Sequence, residues 1–218
     1  GSLTTVPGAA GGVKYVVRYD DKEASQFIEE MCSIMAEPDR LLPGGYLYMN
    51  DILGDPRLMN KVGRLFASAY ADKEVNVVMT MATKGIPIAY AVANHLNVPV
   101  VIVRRDNKVT EGPTVSINYI SGSSKRIQTM LLSKRSLEEG SKVLVVDDFM
   151  KAGGTINGMT NLLEEFNATV SGIAVLMESE DTDERLVDDY LSLLKLGEVD
   201  IKEKKIRVTK GNYFSKIK

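Results

Sequence analysis

The sequence predicts an α/β protein: a parallel sheet with helices on both faces, an inserted flexible hairpin and a small N-terminal hood. Three observations carry that expectation. The apolar runs "VNVVMTM", "VPVVIVRR", "KVLVV" and "VSGIAVLMES" are too continuous for half-exposed strands and belong to parallel strands buried on both sides. Helical patterns separate them in pairs, "IPIAYAVANHL" in one interval and "TINGMTNLLEEF" in the other, giving two β-α-β units. A turn-bounded insert at 106–134 stands between the units.

The elements follow in chain order. Residues 1–12, with "VPGAAGG", read as a linker, Gly1-Ser2 as a cloning scar, and the missing initiator Met as the mark of an excised fragment. "VKYVVRY" at 13–19 alternates as an edge strand. At 22–35 a helix places Phe27, Ile28, Met31, Ile34 and Met35 on one face. "PDRLLPGGYLYMND" reads as loop and short strand. "PRLMNKVGRLFASAYADK" is a helix opened by Pro56, where proline is tolerated. Residues 13–74 thus form the hood or cap of one domain spanning 13–218, whose core runs from about 75 to 179. Inside the insert, "TVSINYIS" and "KRIQTMLLS" are extended arms joined by "GSS". Past the core, "DERLVDDYLSLLKL" has helical spacing, and "DIKEKKIRVTKGNY" is polar and peripheral.

Composition excludes several classes. The 218 residues are 44% apolar and 26% charged, ordinary for a globular chain with a sizeable core. A formal net charge of −2 gives this piece no electrostatic reason to hold nucleic acid by itself. The single cysteine, Cys32, and the single histidine, His95, both read as structural; they exclude a disulfide framework and a multi-histidine metal site. Cysteine usage suits a reducing cytoplasm, no apolar run approaches a membrane span, and no metal site is assigned. The acidic stretch "MESEDTDERLVDD" reads as a solvated face.

In such a sheet, ligands bind beyond the carboxyl ends of the strands, where the loops at 81–85, 104–112 and 147–155 converge. In "VLVVDDFMKAGGT" the glycines let backbone curl around an anion at a helix start, Lys151 adds a charge and Thr155 a hydroxyl. Asp147 and Asp148 are acceptors, which suits hydroxyl groups rather than phosphate. Neither GxxxxGK[ST] nor GxGxxG is present, which argues against a nucleoside kinase. On the residues alone, a phosphorylated-ribose site and a tight turn with two solvated acids both remain open.

Four apolar residues, two acids, a small-residue loop and a threonine resemble the phosphoribosyl pyrophosphate (PRPP) signature of type I phosphoribosyltransferases. The resemblance implies ribose hydroxyls on Asp147 and Asp148, and the 5′-phosphate on Lys151, Ala152, Gly153, Gly154 and Thr155. It places pyrophosphate on Ala82, Thr83, Lys84 and Gly85, with Arg104, Arg105 and Lys108 beside it, and makes the insert a loop that closes over the site. Longer strings, "LLPGGYLYMNDILG", "VVMTMATKGIP" and "VVIVRRDNKVTEGPTVSINYISGSS", extend the likeness over essentially the whole chain to the purine operon repressors of Gram-positive bacteria. That likeness implies an effector-binding, homodimeric domain that senses PRPP without turnover and has no catalytic residue; Mg²⁺ is compatible with it but not required by the likeness. It also implies DNA contact through an N-terminal winged-helix domain that this sequence lacks. A purine nucleotide with clustered phosphates, such as the guanosine alarmone, suits the same pocket, its base between Tyr46 and Phe149 with stacking of about 1–3 kcal/mol. Enzymes of the class usually carry a small residue at Lys151 and often Thr at Ala152, so the lysine favours holding over turnover. The alternative is an active purine or xanthine phosphoribosyltransferase using PRPP and Mg²⁺.

Overall fold

A computed structural model describes residues 2–8, 11–121, 126–182 and 184–217. Its centre is a sheet of six strands. These are β3 (Val77–Met81), β4 (Val100–Val103), β7 (Lys142–Met150), β8 (Thr169–Ser179), β9 (Leu191–Asp200) and β10 (Lys205–Lys210). They stand in the order β10-β9-β8-β7-β3-β4, parallel throughout except for the antiparallel edge β10.

Side-chain alternation explains why the central strands read as unbroken apolar runs. Val78, Leu144, Val146, Ala174 and Leu176 join one buried cluster, while Val77, Met79, Val143, Val145, Ile173 and Val175 join another on the opposite face. Each face is covered by different elements. The first takes α1 (Asp21–Met35), α3 (Pro56–Ala69) and α4 (Ile86–Leu96), through Phe27, Ile28, Leu65, Phe66, Ile88 and Val92. The second takes α5 (Gly154–Glu164), through Ile156, Met159, Leu162 and Leu163, and the hairpin of β5 (Thr114–Ile120) and β6 (Ile127–Ser133). Burying each such side chain contributes about 1.5–3 kcal/mol, so the two faces outweigh any local propensity along the strands.

The helices start where their caps allow. Asp20 accepts from the backbone N–H of Lys22 at 3.0 Å and of Glu23 at 3.1 Å, and Asp55 accepts from that of Arg57 at 2.8 Å ahead of Pro56. Between them, a short α2 (Asn50–Leu53) follows the glycine turn at Pro43–Gly45. Because α1 and α3 share the main core, only this turn and the residues just after it stand over the carboxyl ends of the strands.

Three stretches depart from expectation. The helical reading of 183–196 is overturned: 184–190 is irregular and β9 occupies Leu191–Asp200, parallel to β8. Leu191, Ser192, Leu193 and Leu194 are all buried, and an apolar run buried on both faces carries no period that separates strand from helix. The polar tail is an edge strand, β10, followed by α6 (Tyr213–Lys216), whose Tyr213 is buried. The stretch expected to be linker contains β1 (Ser2–Val6), paired antiparallel with β2 (Gly12–Val16) in a separate small sheet.

The insert forms the expected hairpin, with register from Thr114↔Ser133 to Ile120↔Ile127; its "GSS" turn lies outside the described residues. Its inner half is anchored, since Tyr119, Met130 and Leu132 are buried against the α5 face, whereas Ile120 and Ile127 are 60% and 76% exposed.

Candidate functional site

β7 runs four residues further than the apolar pattern announced, to Met150. Asp147 pairs with Val175, Phe149 with Met177 and Met150 with Glu178, so both acids are held by the sheet rather than by a loop. Asp147 is only 7% exposed, and its Oδ1 accepts from the Asp148 backbone N–H at 2.9 Å. Burial, reinforced by the Asp148 charge, holds its carboxyl well above the usual carboxylate range. Asp148 is half-buried, so it is the more accessible acceptor of the two.

After Met150 the chain turns through Lys151, Ala152 and Gly153. Gly153 has φ 86°, a left-handed conformation that glycine adopts at little cost, and it turns the chain into α5. Gly154, Thr155 and Ile156 therefore begin a helix with first-turn N–H groups that have no intrahelical acceptor. Together with Lys151, these residues line a cavity of about 990 Å³ that is walled opposite by Gly44, Tyr46 and Leu47. A neighbouring cavity of about 530 Å³ is lined by Ala82, Thr83, Arg104 and Lys108. Lys84, Arg105, Asp147, Asp148, Phe149 and Thr155 line both, so the acid pair is the partition between two cation-bearing hollows.

Most of the residues singled out in the sequence meet here, but three have qualified positions. Gly85 lines neither cavity: it is buried at the start of α4, behind the loop, against Thr80 and Asp147. Arg104 faces the smaller cavity but is paired with Glu111 at 3.1 Å, and its backbone bridges to Leu131 of the hairpin. Lys151 is exposed and lies 3.6 Å from an Asp181 carboxylate oxygen. Tyr46, 68% exposed, and half-buried Phe149 line the same large cavity.

The sequence reading missed one wall. Glu180, Asp181, Leu196, Gly197 and Glu198 close the large cavity from β8 and β9. The solvated-face reading is corrected at Glu178, which is 3% exposed. Its Oε1 accepts from Ser192 Oγ at 2.7 Å, and its Oε2 accepts from Tyr190 Oη at 2.6 Å and Arg185 Nη1 at 3.0 Å. Burial and the Glu178 contact push the Tyr190 hydroxyl up to about 12. No pattern in the sequence announced this knot, because its members are recruited from two strands and the segment between them.

Among the described residues no group of three or more His, Cys, Asp or Glu is placed to hold a metal ion, and no helix is long and apolar enough to cross a membrane.

Comparison with known proteins agrees with this geometry. The phosphoribosyl transferase domain model matches residues 49–208. The chain is 64% identical over 213 residues to the purine biosynthesis transcriptional repressor PurR of Bacillus subtilis, covering 98% of this chain and 75% of that protein. It is 51% identical over 215 residues to the purine biosynthesis transcriptional activator PurR of Lactococcus lactis, covering 99% and 79% respectively. The fold is that of the adenine phosphoribosyltransferase of Thermoanaerobacter pseudethanolicus, with a TM-score of 0.65 at 24% identity over 77% of this chain and 99% of that one. The chain belongs to the phosphoribosyl transferase domain family, in the branch of the transcriptional regulators of purine biosynthesis.

Proposed function

We propose that this chain is the effector-binding part of a purine biosynthesis regulator and that it holds PRPP without consuming it. The observation that carries the reading is the partition: one acid pair between two hollows, with Lys151 in one, Arg104 and Lys108 in the other, and Lys84 and Arg105 lining both. A ribose with phosphate groups at both ends presents that polarity, hydroxyls in the middle and anions on either side. Asp148 accepts from the ribose hydroxyls, and burial disfavours the anionic form of Asp147 behind it. The first-turn amides of α5, Thr155 and Lys151 take the 5′-phosphate. Lys84, Arg105 and Lys108 take the pyrophosphate. Purine nucleotides with clustered phosphates enter the same space, their base reaching toward Tyr46 and Phe149.

A sensor works by binding one conformation of its regulator better than another, so this reading requires affinity and a partner that reports it. The reporting partner is DNA, held by a winged-helix domain outside this chain, and the functional unit is a homodimer.

Calorimetry with PRPP tests the site. Asp148→Ala is expected to lower affinity by at least about tenfold with the fold intact, as loss of charge-assisted hydrogen bonds requires. Lys151→Ala is expected to weaken binding more at low salt than at high salt. Unchanged affinity in Asp148→Ala refutes the ribose assignment, and unchanged nucleotide affinity in Tyr46→Ala refutes the base position. Incubation with PRPP, Mg²⁺ and each purine base tests turnover. Nucleotide formation at enzymatic rates would replace the sensor with an enzyme.

A further inference from the structure

Residues 184–190 connect β8 to β9, and they do so without a helix. They lie on the turn that carries Lys151, Ala152 and Gly153. The Leu186 backbone N–H donates to the Ala152 carbonyl at 2.8 Å. The Val187 side chain is buried at Gly153, where a Cβ on the glycine would stand 2.9 Å from Val187 Cγ2. Two consecutive residues of the turn are thus touched by two consecutive residues of the connection. Asp181, just before it, supplies the carboxylate beside Lys151.

The connection is itself pinned from beneath. Arg185 donates from Nη1 to Glu178 Oε2 at 3.0 Å and from Nη2 to the Ser179 carbonyl at 2.6 Å, and its guanidinium lies 5.3 Å from the Tyr190 ring centroid. Glu178 is buried and is also bonded to Tyr190 and Ser192. Arg185 therefore sits between the residue contacting Ala152 and a fixed anchor in the sheet. A bidentate guanidinium anchored at both strand ends has little freedom, so the backbone it carries has little freedom either.

We propose that 184–190 is a strap that sets the position of the 5′-phosphate turn, with Arg185 as its positioning residue and Asp181 as a built-in competitor for the Lys151 charge. Neither the strap, nor Asp181, nor Lys151, Ala152 and Gly153 of the turn line the pyrophosphate-side hollow, which shares only Thr155 with the turn and otherwise takes its lining from β3, β4, the segments after them and the acid-bearing end of β7. The strap contacts Ala152 and Gly153, which line the 5′-phosphate hollow alone, so its effect falls first on that end of the ligand. The proposal rests on the reading of 151–155 as a phosphate site.

Calorimetry of this chain with three probes, PRPP, ribose 5-phosphate and inorganic pyrophosphate, tests it. Arg185→Met is expected to weaken ribose 5-phosphate and PRPP by about tenfold, and pyrophosphate by less than about twofold, because misplacing one positioned subsite leaves the distant one intact. Arg185→Lys, which keeps the charge but not the fork, is expected to recover less than half of the loss in binding free energy. Asp181→Asn is a surface change with no folding risk. It is expected to tighten ribose 5-phosphate by about twofold at low salt and by nothing at about 1 M salt, where screening removes a surface charge pair. Equal weakening of ribose 5-phosphate and pyrophosphate in Arg185→Met, or no weakening of either, overturns the strap. Unchanged or weaker ribose 5-phosphate binding in Asp181→Asn overturns the competitor role. If the unaltered chain binds none of the three probes, the phosphate site falls and the strap with it, an outcome distinct from both.

Discussion

Replacing Gly85 with alanine tests whether the pyrophosphate-side loop is set by the packing beneath it. Gly85 has φ −71° and ψ −17°, a conformation alanine adopts without strain. Backbone preference alone would therefore stabilise the protein by about 0.4–1 kcal/mol, through a less flexible unfolded chain. Packing opposes this. The new Cβ would overlap Thr80 Oγ1 and stand 3.2 Å from Asp147 Oδ1. Thr80 is 0% exposed on a central strand, so its side chain has no empty space to turn into. Overpacking of that kind costs about 1–3 kcal/mol, which exceeds the entropic gain and leaves a net loss of about 1–2 kcal/mol. For a chain of this size the midpoint of thermal unfolding falls by roughly 2–8 °C. Thr80→Ala removes the overlapping atom, and in that background Gly85→Ala is expected to be neutral or stabilising. The assay is a double-mutant cycle by urea and thermal unfolding, with an expected coupling of at least about 1 kcal/mol. Equal destabilisation by Gly85→Ala in both backgrounds refutes the steric account and points to backbone geometry instead.

Other expectations rest on different contacts. The Asp147 carboxyl titrates above its ordinary value of 3.8, so as pH rises past about 4 the unfolded chain ionises first and stability is lost. Asp147→Asn removes that slope: its thermal midpoint relative to the parent is expected to rise between pH 4 and pH 7, and a flat difference refutes the burial argument. Arg185→Met leaves Glu178 buried without its cation and is expected to cost roughly 3 kcal/mol in urea unfolding, with Glu178→Gln in the same chain recovering part of it. Gly153→Ala places a Cβ at φ 86° and against Val187, and is expected to cost about 1–2 kcal/mol; Val187→Ala relieves the contact but not the backbone term.

The parts of the fold that were legible are those where one physical requirement dominates. Val143–Val146 could only be a strand buried on both faces, and Gly153-Gly154 ahead of a helical period could only be a turn into a helix. Leu191–Leu194 satisfied two patterns at once. "YLSLLKL" has helical spacing on paper; what decides between helix and strand is its pairing with β8 and β10 and its packing in the cluster that holds α1, none of which the local pattern shows. The acids divide the same way. Asp147 and Asp148 could be placed at the cavity from sequence because they directly precede the glycine turn that lines it. Glu178 was not, because its partners Arg185, Tyr190 and Ser192 are assembled by the sheet, and a run of acids in sequence gives no hint of which one turns inward.

Paired carboxylates beside a phosphate turn look self-defeating until the two are considered separately. Strand alternation sends Asp147 and Asp148 to opposite sides of β7, so they do not share one environment. Asp147 is buried and disfavoured as an anion; Asp148 remains accessible. Burial disfavours the second negative charge on the partition, and Lys84, Arg105 and Lys151 stand on its flanks. On the proposed reading, hydroxyl groups meet the acceptor, phosphates meet cations and amides, and neither is forced against the other. On that same reading Lys151 adds affinity at the 5′ end, and the Asp181 carboxylate 3.6 Å from it subtracts some of that affinity again. An enzyme must release its product, and tight ground-state holding raises neither kcat nor, once substrate is saturating, the rate. A sensor gains from the same holding, because its response depends on how much better one state binds than the other. The lysine in the turn and the carboxylate set beside it are thus consistent with a site tuned for occupancy, and their removal one at a time should move affinity in opposite directions.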